Sequence, residues 1–173
     1  MASMSTQMAS LSSSSSSLYS TTRWKHDVFL SFYGKDTRNS FTNHLFDALQ
    51  KKGLDVFKDD KKLEQGAFIT PELMKAIEES KYAITILSKN YAFSRWCLDE
   101  LAKIVECMKE TKLTILPVFY HVNPSDVRNL RKTFEQAFAK HEIDVKVNKE
   151  RMQLWRDVLR EVGNISGWHL HDR

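Results

Sequence analysis

The chain has 173 residues, 42% of them apolar, and a formal charge of +4, which suits one domain with a core of its own. Its Lys and Arg are interleaved with Asp and Glu and form no basic cluster with aromatics, so nucleic acid is disfavoured as a partner. No stretch nears the roughly 18 apolar residues of a membrane helix, and no membrane partner is expected.

Residues 1–22 are dominated by serine and carry no charge. They cannot bury enough apolar surface to offset ordering entropy and are expected to form a disordered tail, with the domain occupying 23–173. A secretory signal would need a basic start and an apolar run, and a chloroplast transit peptide would be expected to carry Arg; the tail has neither.

Four short apolar runs follow: Val28-Phe29-Leu30, Asp55-Val56-Phe57, Ala83-Ile84-Thr85-Ile86-Leu87 and Ile115-Leu116-Pro117-Val118-Phe119-Tyr120. Short apolar runs bounded by polar residues suit strands buried on both faces of a parallel sheet. Pro117 removes a ladder donor from the fourth. Helical stripes alternate with these runs. Phe41, Leu45, Ala48 and Leu49 form the first, which ends at Gly53. Thr70-Pro71-Glu72 is a start signal for the second, with Leu73, Ala76 and Ile77 as its buried face. Leu98, Leu101, Ile104, Val105 and Met108 make the third; Met152, Trp155, Leu159 and Val162 make another, stopping near Gly163. Segment 123–149 is the least legible. Phe134, Ala137 and Phe138 mark a short helix in it, and a fifth strand is expected without a pattern of its own.

This alternation specifies a doubly wound α/β sandwich with helices on both faces of a parallel sheet. Ligands in such folds bind outside the carboxyl ends of the strands. The loops there begin at Ser31-Phe32-Tyr33-Gly34, Lys58-Asp59-Asp60, Ser88-Lys89-Asn90 and His121-Val122-Asn123. Cys97 and Cys107 fall ten residues, or about 15 Å, apart on one predicted helix, too far for a disulfide. The chain therefore reads as reduced and cytoplasmic or nucleocytoplasmic. No His or Cys cluster has metal-ligand spacing, and His169 with His171 reads as a solvated tail.

Several motifs, in order, resemble those of plant TIR domains. They are Asp27-Val-Phe-Leu-Ser-Phe32 with Gly34 and Asp36-Thr37-Arg38; Phe41-Thr42-Asn43-His44-Leu45; Phe57-Lys58-Asp59-Asp60 with Leu63 and Gly66; and Ala76-Ile77-Glu78-Glu79-Ser80. Then come Ser94-Arg95-Trp96-Cys97-Leu98-Asp99-Glu100-Leu101, Pro117-Val118-Phe119-Tyr120, Pro124-Ser125-Asp126-Val127-Arg128 and Gly167-Trp168-His169. The resemblance covers residues 24–170. It implies a flavodoxin-like three-layer fold with five parallel strands in the order 2-1-3-4-5.

By the same resemblance Glu100 is the catalytic acid of an NAD+ nucleosidase, with NAD+ or NADP+ as substrate and no tightly bound cofactor. Breaking the nicotinamide–ribose bond makes an oxocarbenium-like centre that a carboxylate beside the ribose can stabilise. This requires the carboxyl at the strand-end loops, neither deep in packing nor at the opposite edge of the sheet. Tyr33, Gly34, Arg38, Asp59, Asp60, Ser94, Trp96 and Cys97 are the expected substrate-binding positions. Several have a plainer role open to them. Trp96 can be core, Cys97 a small buried filler, and Asp59 and Asp60 caps of their own loop. Glu100 itself can complement a helix N-terminus, although Asp99 is free to do so instead.

Three positions depart from the family pattern. Tyr33 stands where Arg is common, Lys35 replaces an acid, and Gln65 precedes Gly66 where a base is frequent. Losing the Arg removes a bidentate partner for phosphate or ribose, which implies weak hydrolysis or none. The resemblance further implies self-association through the first and last helices, with Asn43 and His44 on the interface, and downstream immune signalling proteins as partners. Two other functions stay open: a non-catalytic oligomerisation module, and a synthetase making cyclic nucleotides from nucleic acid.

Overall fold

A computed structural model of the chain describes residues 24–59 and 68–171. The expected tail and the positions Asp60, Leu63, Gln65 and Gly66 lie outside them. Five strands form one parallel sheet: β1 (His26–Phe32), β2 (Val56–Lys58), β3 (Ser80–Leu87), β4 (Thr114–Tyr120) and β5 (Trp168–Leu170). Their order across the sheet is β2-β1-β3-β4-β5, as the resemblance implies. β1 and β3 are neighbours whose chains continue to opposite sides of the sheet. In folds of this class that topology marks the carboxyl ends of β1 and β3 as the place where ligands bind.

Alternation along β1 divides the core. Val28, Leu30 and Phe32 face one layer with Ile84, Ile86 and Val118, covered by Phe41, Leu45, Phe46 and Leu49. Phe29 faces the other, with Ala83, Leu87 and Phe119, beneath Leu98, Leu101, Ile104, Trp155 and Leu159. The first layer is covered by α1 (Gly34–Thr37), a π-turn (Arg38–Thr42) and α2 (Asn43–Lys51). Ser40 breaks the helical dihedrals there (φ −134°, ψ −106°), so Phe41 lies upstream of α2 and the stripe shifts. Leu45, Phe46 and Leu49 pack inward while Ala48 is exposed, a correction to the predicted face. Gly53 closes this unit in the left-handed region (φ 84°), as a glycine after a helix end allows.

α3 (Pro71–Glu78), α4 (Arg95–Glu110) and α7 (Lys149–Gly163) contribute to the second layer. Thr70 caps α3 by accepting a hydrogen bond from the Leu73 N–H at 3.2 Å, and Pro71 takes the first helical position. Segment 123–149 holds no strand. It forms α5 (Pro124–Arg128) and α6 (Thr133–Glu142), the second of which matches the short helix read from Phe134, Ala137 and Phe138. The fifth strand is instead the three-residue edge β5, with His169 inside it. Pro117 loses little there. A Cβ on Gly167 would lie 2.3 Å from the Pro117 carbonyl oxygen, so that edge of Pro117 faces Gly167 just before β5 pairing starts at Val118. Cys97 and Cys107 are both free and buried on α4. No helix among the described residues is long and apolar enough to cross a membrane, and these residues include no group of three or more metal-ligating side chains.

Candidate functional site

The loops that leave the carboxyl ends of β1 and β3 are joined by Asp36. Its Oδ2 accepts from the Ser88 hydroxyl at 2.6 Å and the Asn90 N–H at 2.8 Å, and its Oδ1 from the Asn90 side-chain amide at 2.9 Å. One carboxylate thus ties the loop after β1 to the loop after β3. Sequence reasoning placed Asp36 in a motif but assigned it no work.

Beneath this clasp the polypeptide turns from a 3-10 turn (Tyr91–Phe93) into α4. Ser94 caps that helix: its hydroxyl accepts from the Cys97 N–H at 3.1 Å. The cap fixes the first two turns, and with them two adjacent acids that point to different partners, as successive helical positions must. Asp99 is directed to α7, where it accepts from Arg151 Nε at 3.2 Å, from Arg151 Nη2, and from the Trp155 indole at 3.0 Å. It is therefore a tie between helices and does not complement the helix N-terminus.

Glu100 is directed to β1. Its Oε1 accepts from the Ser31 hydroxyl at 2.8 Å and its Oε2 from the Trp96 indole N–H at 3.0 Å. The Tyr91 hydroxyl lies 2.7 Å from the same Ser31 oxygen and 3.1 Å from the Cys97 carbonyl. Burial pushes the carboxyl up to about 8, the nearby Asp59 charge adds to the rise, and the Ser31 and Trp96 hydrogen bonds oppose it. Near neutral pH the group is largely a neutral acid.

The structure brings Glu100, Trp96, Cys97, Ser31 and Asp59 together at the carboxyl ends of β1 and β2. Half of the positional requirement is met: the acid lies at the expected edge. The other half is not, because only 4% of Glu100 is exposed. Trp96 spends its indole N–H on Glu100, and the Cys97 thiol, also buried, donates to the Phe32 carbonyl at 3.5 Å. Gly34 is buried at the start of α1. Tyr33 is half-buried against the core, with its phenol raised by burial and by the charges of Asp36 and Cys97. Arg38 sits 5.1 Å over the Phe32 ring. On α2, Asn43 accepts from Lys58 Nζ at 3.0 Å while His44 is exposed.

Ser31 and Tyr91 were not singled out from sequence. A signal existed for Ser31, a lone hydroxyl in the otherwise apolar run 28–32. Its register neighbour Thr85 carries the one buried side-chain hydroxyl among the described residues that has no hydrogen-bond partner. A separate groove of about 360 Å³ lies at the β4–β5 end, lined in part by Arg128, Asn164 and His169, and holds none of the expected site residues.

A flavodoxin-like module with a buried acid at its β1–β3 switch point is the class that fold and site define. The TIR domain family model matches residues 25–173, and the chain belongs to that family. It is 53% identical over 160 residues to TMV resistance protein N of Nicotiana glutinosa, covering 92% of this chain and 13% of that protein. To disease resistance protein RPV1 of Vitis rotundifolia it is 51% identical over 172 residues, covering 99% of this chain and 12% of the relative. The chain thus spans about an eighth of the length of these curated relatives. Among solved structures, the TIR domains of the activated Roq1 resistosome, which directly recognises the pathogen effector XopQ, superpose with a TM-score of 0.78 at 48% identity, covering 84% of this chain and 87% of that one.

Proposed function

We propose that this TIR domain cleaves the nicotinamide–ribose bond of NAD+ or NADP+ with Glu100, as an immune-signalling module working in an assembled state in the plant cytoplasm. The observation that supports this reading is a single one. A carboxyl with strongly perturbed acidity is held by fixed donors at the carboxyl ends of the strands, where this fold class binds ligands. In the step proposed, the glycosidic bond breaks with its electron pair going to the nicotinamide nitrogen. Once assembly has uncovered and hydrated it, Glu100 ionises and balances the charge growing on the ribose, water adds its oxygen to the sugar carbon, and the proton released goes to solvent. The products are nicotinamide and an ADP-ribose-type signal that leads to cell death. We assign Asp59, whose charge acts on Glu100, to the ribose hydroxyls, and Arg38 to the phosphates.

At 4% exposure Glu100 is closed to a dinucleotide, so the reading requires assembly to displace what covers it. We assign that role to self-association through α2 and α7, with His44 on the exposed face, in keeping with the resistosome to which the Roq1 TIR domains belong. The burial equally favours a second reading, a non-catalytic oligomerisation module that signals by docking to downstream immune proteins. Incubating the concentrated chain with NAD+ beside Glu100→Ala separates the two. The first reading expects nicotinamide release from the wild type and loss of at least about a hundredfold in the variant, the scale of removing a transition-state charge partner. Equal release would remove Glu100 from its role, and none even from forced oligomers would leave the docking module.

A further inference from the structure

Four hydrogen-bonding groups run in sequence from Glu100 into the core: its Oε1, the Ser31 hydroxyl at 2.8 Å, the Tyr91 hydroxyl at 2.7 Å and the Cys97 carbonyl at 3.1 Å. Ser31 and Tyr91 are both 0% exposed, so bulk solvent does not reach them. The inventory of donors decides how the chain is oriented. The Trp96 indole N–H can only donate, so Oε2 is an acceptor in every state. When Glu100 is a neutral acid, the Ser31 hydroxyl 2.8 Å from Oε1 is an acceptor within reach, so the proton is placed on Oε1 and points at Ser31. Ser31 then accepts, and passes its own O–H to Tyr91, which donates to the Cys97 carbonyl. When Glu100 is ionised the order reverses: Tyr91 donates to Ser31, and Ser31 donates to Oε1. No proton crosses the relay; the two hydroxyls rotate, and the carboxyl's proton leaves to solvent when the site is open. Cys97 is within α4, so its carbonyl keeps a place in the helix ladder when Tyr91 turns away.

We propose that Ser31 and Tyr91 are positioning residues: a reversible hydroxyl relay that keeps Glu100 fully hydrogen-bonded as acid and as carboxylate, and so sets the pH at which the site can stabilise a cation. The consequence for cleavage rests on the proposed NAD+ reaction; the relay itself does not. The two members act with opposite sign. Among the described residues Ser31 supplies the only hydroxyl donor bonded to the carboxylate, and hydrogen bonds to charged groups are the stronger ones. Tyr91 matters more to the neutral form, because without it the buried Ser31 O–H loses its acceptor. Among the described residues, the titratable groups acting on the carboxyl or on its relay are Asp59 from the segment after β2, Tyr91 from the turn before α4 and, through Tyr91, Cys97 from α4; from β1 the carboxyl meets the uncharged Ser31.

The test is made without NAD+. The indole N–H resonance of Trp96, assigned by its loss in Trp96→Phe, is followed from acid to alkaline pH as a reporter of Glu100 ionisation. Wild type is expected to titrate near 8. Ser31→Ala should move the midpoint up by about one pH unit, and Tyr91→Phe should move it down by about half a unit. Ser31→Thr, which keeps the hydroxyl, should restore the wild-type midpoint. Shifts of the same sign in the two variants, or no shift in either, overturn the relay. Where nicotinamide release is measurable, its pH profile should follow the same shifts. If the wild type releases none, the NAD+ reading fails while the indole titration still decides the relay.

Discussion

Arg151 on α7 grips both carboxylate oxygens of Asp99 on α4, through Nε at 3.2 Å and through Nη2, with the two side chains 16% and 17% exposed. The same guanidinium lies 4.8 Å over the Trp155 ring and 4.9 Å over Phe68. A bidentate, partly desolvated pair strands its partner when one member goes. Asp99→Ala should therefore lower unfolding free energy by about 2–3 kcal/mol, read as a lower urea midpoint at an unchanged slope. A change below about 0.5 kcal/mol would place this pair with ordinary surface ion pairs.

Glu100 gives stability a sign opposite to that of a salt-bridged acid. Its folded value, about 8, lies above the ordinary 4.5, so between these the native state binds the proton more tightly than the unfolded chain. Stability is then fullest below about pH 4.5, falls as pH climbs toward 8, and levels off beyond. Glu100→Gln reproduces the neutral network, its amide donating to Ser31 and its oxygen accepting from Trp96. The variant should match wild type near pH 5 and exceed it near pH 9 by at least about 1–2 kcal/mol. Parallel curves across that range would contradict this.

Thr85 leaves a hydroxyl unpartnered at 0% exposure. Thr85→Val keeps the shape and removes the desolvated oxygen, so stability should stay level or rise by about 1 kcal/mol. A loss beyond about 1 kcal/mol, measured by thermal unfolding, would mean that the hydroxyl has a bonding role in solution.

Tyr33→Arg tests the family departure. It returns a bidentate cation to the loop after β1, and nicotinamide release should rise by about tenfold if phosphate or ribose contacts limit turnover. An unchanged rate would assign the weak step elsewhere.

Much of the fold could be read from local pattern. The runs around Phe29, Phe57, Ile84 and Phe119 became strands because buried parallel strands are apolar on both faces and look the same at every register. Thr70-Pro71 and Gly53 marked a helix start and a helix end because capping is local chemistry. β5 escaped because three residues containing a histidine carry no period, and its place depends on Gly167 fitting against the Pro117 carbonyl. Ala48 was misassigned because the π-turn at Arg38–Thr42 rotates α2 relative to an unbroken helix.

The sequence alone determined the family, the layer architecture and the identity of the acid to examine, since each is written in the order and spacing of motifs. Only the tertiary structure decided what surrounds that acid. Ser31, Asp59 and the segment holding Tyr91 and Trp96 come from three separate stretches of chain, and burial and charge acting through space, not along the chain, push the Glu100 carboxyl up and cover it.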